Sequence, residues 1–132
     1  MADEFLFRET YIEISSDEEA KWIYANWLGF QTVASVKNGC EKILQALQQK
    51  GYAKILNDNT HVQGIWSGAS EWVAVDWFPR MREAGMTCFA WVYSTSVFSQ
   101  LSTDKTLNHT SEGFVKTFYE IEQAKSWLRQ QK

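Results

Sequence analysis

Apolar and polar positions change period several times along this chain, and each change marks an element. Over residues 5–14, Leu6, Ile12 and Ile14 fall on one parity and Phe5, Phe7 and Tyr11 on the other. That pattern predicts one strand with both faces partly covered. Ser15-Ser16-Asp17-Glu18-Glu19 is a polar turn, and residues 21–28 form a second strand ended by Gly29. The link is short, so the two strands should pair antiparallel. The period then lengthens. Val33, Val36, Cys40, Ile43, Leu44 and Leu47 recur at helical spacing, with Thr32 as N-cap and Gly51 as stop. Gly39 inside that helix should cost about 1 kcal/mol relative to Ala.

Residues 53–57 read as a short strand ending at Asp58, and residues 58–68 as a polar loop. A helix follows from about Ser70, with Trp72, Val73, Trp77, Met81 and Ala84 on one side, interrupted by Pro79 and ended by Gly85. Residues 88–93 form a strand, and Ser94-Thr95-Ser96 offers caps for a short helix at about 96–104. Residues 105–113 read as loop. Phe114–Phe118 is a last strand, and Ile121, Ala124, Trp127 and Leu128 mark a closing helix. Trp77 and Leu128 lie on the apolar sides of their helices and should be buried. The expected order is β-β-α-β-α-β-α-β-α, a single α/β domain spanning 1–132. Its sheet should be mostly parallel, with an antiparallel first strand and right-handed crossovers.

Composition narrows the function. Net charge is −3 with no basic block, and the aromatics are not interleaved with Lys or Arg. Nucleic acid is therefore not expected as a partner. No apolar run approaches the ~18 residues a membrane span needs. The acidic start lacks a charged-then-apolar signal pattern, so the expected compartment is the cytoplasm. Cys40 and Cys88 stand 48 positions apart, one in a helical and one in a strand pattern, and read as buried thiols rather than a disulfide. With two histidines in separate regions a metal site is not expected, and no phosphate-cradling glycine motif points to a cofactor.

Ligands of open parallel sheets sit outside the carboxyl ends of the strands. That edge should gather Asp58, Asn59, Thr60, His61, Trp66 and Ser67 from one loop and Tyr93, Ser94, Thr95 and Ser96 from the next. Together they could orient a small polar ligand. The plainer alternative is that Asp58 and Asn59 close a turn while Ser67, Ser70 and Ser96 cap helices. Asp58 and His61 could also form an acid–base pair in a small hydrolase or transferase, although no nucleophile or oxyanion glycine cluster accompanies them.

The aromatic surplus, 15% with 7 Trp, is large for one small core, so some rings should face a surface or a ligand. In 88–93, Phe89, Trp91 and Tyr93 share one parity and Cys88, Ala90 and Val92 the other. The small residues suit close packing of helices. The rings should then stack on the opposite face with Phe5, Phe7, Trp22 or Tyr24. That face would be covered by a homodimer partner, by an apolar ligand held there or beneath a helix, or by the segment 96–113.

Four stretches carry a family resemblance: Trp27-Leu28-Gly29-Phe30, Ile55-Leu56-Asn57-Asp58-Asn59, the run from Trp72 to Gly85 with Trp77-Phe78-Pro79 and Ala84-Gly85, and Ala124-Lys125-Ser126-Trp127-Leu128. In their order and spacing the chain resembles the SpoIIAA-like (STAS) domains, the sulphate transporter and anti-sigma-factor antagonist group. Particular stretches are similar to small bacterial members of the broader STAS-like group, which is similar in fold to CRAL-TRIO lipid-binding domains. The resemblance implies a non-enzymatic module that regulates by binding. In antagonists of that family a Ser or Thr at the start of the helix after the third strand is phosphorylated, within an Asp-Ser/Thr-x-Gly-like signature. Here Trp66-Ser67-Gly68-Ala69-Ser70 stands at that place without the preceding Asp. Ser67 and Ser70 are the candidate phosphorylation sites, and the departure weighs against them.

Overall fold

The computed structural model describes residues 3–110 and 113–132. Six strands form one sheet in chain order: β1 (Asp3–Glu9), β2 (Ile12–Asp17), β3 (Trp22–Phe30), β4 (Lys54–Gln63), β5 (Cys88–Val92) and β6 (Val115–Phe118). β1–β2 and β2–β3 pair antiparallel; β3–β4, β4–β5 and β5–β6 pair parallel. The domain is thus α/β, with a mostly parallel sheet led by antiparallel strands.

The expected single strand over 5–14 is two strands. Glu9 pairs with Ile12 across a two-residue turn, Thr10-Tyr11. That turn holds none of the Gly, Asn or Asp residues that usually announce a tight hairpin, so the pattern ran on unbroken. The second expected strand runs one residue past Gly29, which turns at φ 73°.

Helix α1 (Val33–Lys50) follows the predicted stripe. Thr32 Oγ accepts from the Ser35 amide at 3.0 Å while Ser35 Oγ accepts from the Thr32 amide at 2.9 Å, and Gly51 closes the helix in the left-handed region. Gly39 has a steric reason. A Cβ there would lie 2.4 Å from the Trp27 ring, a clash that outweighs the propensity lost to glycine.

After β4 comes a 3₁₀ turn (Ser67–Ala69). Then α2 (Ser70–Trp72), a π-helical stretch (Val73–Trp77) and α3 (Phe78–Glu83) run end to end. Pro79 was expected to interrupt this helix. Its ring would collide with the carbonyl one turn earlier, and the wide π turn ahead of it, closed by the Phe78 amide on the Val73 carbonyl, makes room. Trp77 and Leu128 are both buried, as their registers predict.

α4 (Val97–Leu107) is longer than expected and takes in residues assigned to the 105–113 loop, of which 111–112 lie outside the described residues. α5 (Ile121–Gln130) closes the chain.

Helices cover both faces of the sheet. On one, Ile12, Ile14, Ile23, Trp27, Ile55, Phe89 and Trp91 pack beneath α1 and the 70–83 helix. On the other, Trp22, Leu56, Cys88, Ala90 and Val92 pack against Ala124 and Leu128 of α5. Phe89 and Trp91 are therefore not on a bare face. They lie in an edge-to-face cluster with Trp77, Phe78 and Phe114. Of the rings expected to form a homodimer surface, Phe89 and Trp91 are covered inside the chain, because the helix-rich side is thick enough to need them, whereas Phe5 on the edge strand β1 stays more than half exposed. Tyr93, half buried, lies beyond the strand. Trp22 and Tyr24 belong with the small residues instead.

Cys40 and Cys88 are buried free thiols on opposite faces. Burial pushes the Cys40 thiol well above its ordinary value, so it stays protonated.

Candidate functional site

The stretch 58–63 is strand, not loop. Asn and Asp are poor strand formers, but here each has a tertiary partner. Trp27 Nε1 donates to Asn57 Oδ1 at 2.9 Å, and Asn57 Nδ2 donates to Asn59 Oδ1 at 3.3 Å. Tyr24 donates its hydroxyl to Asp58 Oδ2 at 2.8 Å, and Thr60 donates its amide and hydroxyl to Asp58 Oδ1. The pairing with β3 slips between Asn26 and Leu28, leaving an extra residue in β4. This bulge keeps Asn59 buried and returns Val62 to the core beside Ile55.

The expected ligand edge is thus divided. Asp58 is buried and bonded by Tyr24 and Thr60, while His61 is exposed. No hydrogen bond or ion pair joins those two side chains. Ser94 donates to the Val62 carbonyl and accepts from the Ser96 amide at 2.8 Å, tying the loop after β5 to β4; the Ser96 side chain makes no cap bond. Ser67 is half buried at the start of the 3₁₀ turn. Ser70 is fully buried and donates to the Ser102 carbonyl at 2.9 Å, so it offers no exposed hydroxyl for modification. Tyr93 stacks on Tyr119 at 4.8 Å and donates to Asp104. Burial, followed by that hydrogen bond, pushes its hydroxyl up to about 12.

Asn59 and Trp66 instead join residues that the sequence did not single out as a site. With Trp27, Gln31, Cys40, Asn57, Trp77, Phe89 and Trp91 they line a cavity under α1 and the π stretch. The room open to the centre of a water-sized sphere is about 30 Å³, and the unfilled space with its mouth is about 350 Å³. The smaller figure decides what fits without movement: one or two waters. Val73 and Trp77, both in the π stretch, form part of the wall. Such stretches often mark functional places in helices.

The wall is aromatic with a few polar atoms. Trp66 and Trp91 stack at 6.0 Å, nearly parallel. Two of the four lining indoles have satisfied N–H groups, Trp27 on Asn57 and Trp77 on the Cys40 carbonyl at 2.8 Å. The other two do not. Trp66 Nε1 and Trp91 Nε1 are buried with no acceptor on the protein, and such a donor costs roughly 1–3 kcal/mol when left unpaired. Gln31 is spent on the Tyr11 and Leu28 carbonyls and on Ser35. No Lys, Arg, His, Asp or Glu lines the chamber.

The parity of Trp27 with Ile23 and Ala25, and of Trp91 with Phe89, was legible in the sequence. What hid the site was the assumption that residues 58–68 form an open loop. Among the described residues, no three His, Cys, Asp or Glu side chains could hold a metal ion, and no helix is long and apolar enough to cross a membrane. No protein-family model and no curated protein matches this chain.

Proposed function

We propose that this α/β domain is a non-catalytic binding module, STAS-like in its resemblance, that admits a small neutral ligand carrying a hydrogen-bond acceptor beneath the 70–83 helix. The observation that carries the reading is the pair of buried indole N–H groups without an acceptor, on Trp66 and Trp91, two residues that line an uncharged aromatic chamber. A carbonyl or ether oxygen would satisfy them, and the stacked rings favour a flat or cyclic apolar body. A carboxylate is disfavoured because no cation lines the chamber to offset its desolvation. A ligand larger than water requires the lining side chains to move apart.

Three matched probes test this: cyclohexanone, methylcyclohexane and cyclohexanecarboxylate, read by thermal denaturation and tryptophan emission. The ketone should bind best and raise the melting temperature, by the equivalent of about 2.7 kcal/mol at a hundredfold excess over its dissociation constant. Trp91→Phe should erase its advantage over the hydrocarbon. Equal binding of ketone and hydrocarbon to the parent protein, or no shift with any probe, would sink the reading. The hydrolase alternative has no such support, since the Asp58 oxygens are taken by Tyr24 and Thr60.

A further inference from the structure

α4 is built inside out. Its buried stripe, Ser99, Ser102, Thr103 and Thr106, has the i, i+3, i+4, i+7 spacing at which a surface helix normally carries apolar residues. Val97, Phe98 and Leu101 face outward instead, each more than half exposed. The hydroxyls have a reason to be inside. Ser99 Oγ donates to the Gly64 carbonyl at 2.6 Å, Ser102 Oγ accepts from the Trp66 amide at 3.0 Å, and Thr106 donates to the Ser102 carbonyl at 2.9 Å. The first two serve backbone groups beyond the end of β4 that no neighbouring strand pairs. Nothing among the described residues gives a comparable reason for the apolar residues outside.

The outward side chains do not stand alone. Ile65, 62% exposed, lies between the two residues that Ser99 and Ser102 hold. Phe30, 73% exposed, packs so closely on Gly64 that a Cβ there would meet its ring at 2.8 Å. Val33 lies against Gly68 in the same way, at 3.2 Å. The end of β3, the start of α1, the 64–68 segment and α4 are neighbours in the fold, and the large apolar side chains they leave exposed are Phe30, Val33, Ile65, Val97, Phe98 and Leu101.

We propose that this surface is where a second copy of the chain docks, about a two-fold axis. Six large side chains that are about 40–70% exposed, each able to bury on the order of 150–200 Å², present roughly 600 Å². That is at the upper end of what a monomer leaves bare. With a polar rim it reaches the ~800 Å² per partner of a standard interface. The patch holds no charged side chain, so laying it on its own copy opposes no like charges, and one patch serves both subunits. An anionic membrane is the poorer occupant. A helix that lies on such a surface carries Lys and Arg along its polar side, whereas the exposed charges on α4 are Asp104 and Lys105, which cancel. The inference is independent of the ligand reading.

Sedimentation equilibrium of the whole chain at 1–200 µM, beside flotation with phosphatidylcholine and phosphatidylserine vesicles, tests it. The parent protein should approach twice its 15.3 kDa monomer mass. Phe98→Glu should weaken the dimer at least about thirtyfold, the scale of an interface anchor, with little change in melting at dilute, monomeric concentration. Leu101→Gln, a milder change on the same surface, keeps the test open if Phe98→Glu does not fold. A parent protein monomeric at 200 µM, with or without flotation, overturns the proposal. So does a dimer that both variants leave intact.

Discussion

α1 and α4 use the same spacing for opposite contents. α1 buries Val36, Gly39, Cys40, Ile43, Leu44 and Leu47, and α4 buries Ser99, Ser102, Thr103 and Thr106. The difference lies in what each helix rests on. α1 lies over β2 and β3, each of which has a hydrogen-bonded strand on either side, and it meets mostly apolar side chains there. α4 rests on the 62–66 segment, where β4 has run past β5 and, after Gln63, past β3 as well, so that the Gly64 carbonyl and the Trp66 amide lack a ladder. A buried helix face matches the bonding state of its support. Position along a sheet, not helical periodicity, decides whether the inward stripe is hydrocarbon or hydroxyl.

Substitutions can break or sharpen this contrast, and the largest effect belongs to α1. Leu47 is fully buried, and Leu47→Ala should lower stability by about 2–5 kcal/mol in urea or thermal unfolding; a loss under 1 kcal/mol would mean α1 is not seated on the sheet as described. Gly39→Ala should cost about 1–3 kcal/mol despite the better helix propensity of alanine, because the new methyl meets Trp27. Pairing it with Trp27→Leu should recover part of that loss. If Gly39→Ala alone stabilises the protein, the Trp27 ring lies elsewhere.

In α4 the two kinds of hydroxyl should separate. Ser102→Ala leaves the Trp66 amide without its acceptor and should cost about 1–3 kcal/mol, although it makes the stripe more apolar. Thr103 Oγ1, buried without a protein partner, should behave in the opposite way. Thr103→Val is expected to be neutral or to stabilise by up to ~1 kcal/mol. The same sign for both would show that α4 is governed by bulk polarity rather than by individual bonds.

The smallest effect concerns the rim between α1 and α3. Arg80 donates to both oxygens of Glu41 and also to Asp76, and the Arg80 hydrogen bond holds the Glu41 carboxyl below its ordinary 4.5. A carboxylate with a depressed folded pKa contributes stability that is fully present above about pH 4.5 and is lost as pH falls through the folded value. Both side chains are more than a third exposed, so solvent screening holds the contribution below about 1 kcal/mol. Arg80→Met should lower stability in the neutral region by less than about 1 kcal/mol and flatten its fall below pH 4.5, so that the two curves converge at acid pH. An unaltered acid limb would remove Glu41 from the account.

Local rules carried much of this fold. Thr32 and Gly51 bound α1 as their chemistry predicts, and the stripe from Val36 to Leu47 placed its face. The parity of Cys88 to Val92 separated two surfaces before any neighbour was known. These features rest on interactions within a few residues, so the sequence alone determined them. The sequence did not determine which surface of β5 lies under three helical segments and which under α5, because right-handed crossovers and the docking of the last helix set that. The Thr10-Tyr11 turn was hidden for want of a turn residue. β4 continues past its expected end at Asp58 because Asp58 is held by Tyr24, 34 positions away, and Asn59 by Asn57, itself bonded by the distant Trp27. Trp66 and Trp91 meet for the same reason. The chamber they line, like the inverted face of α4, exists only where distant strand ends converge, and no local pattern encodes what a distant backbone leaves unpaired.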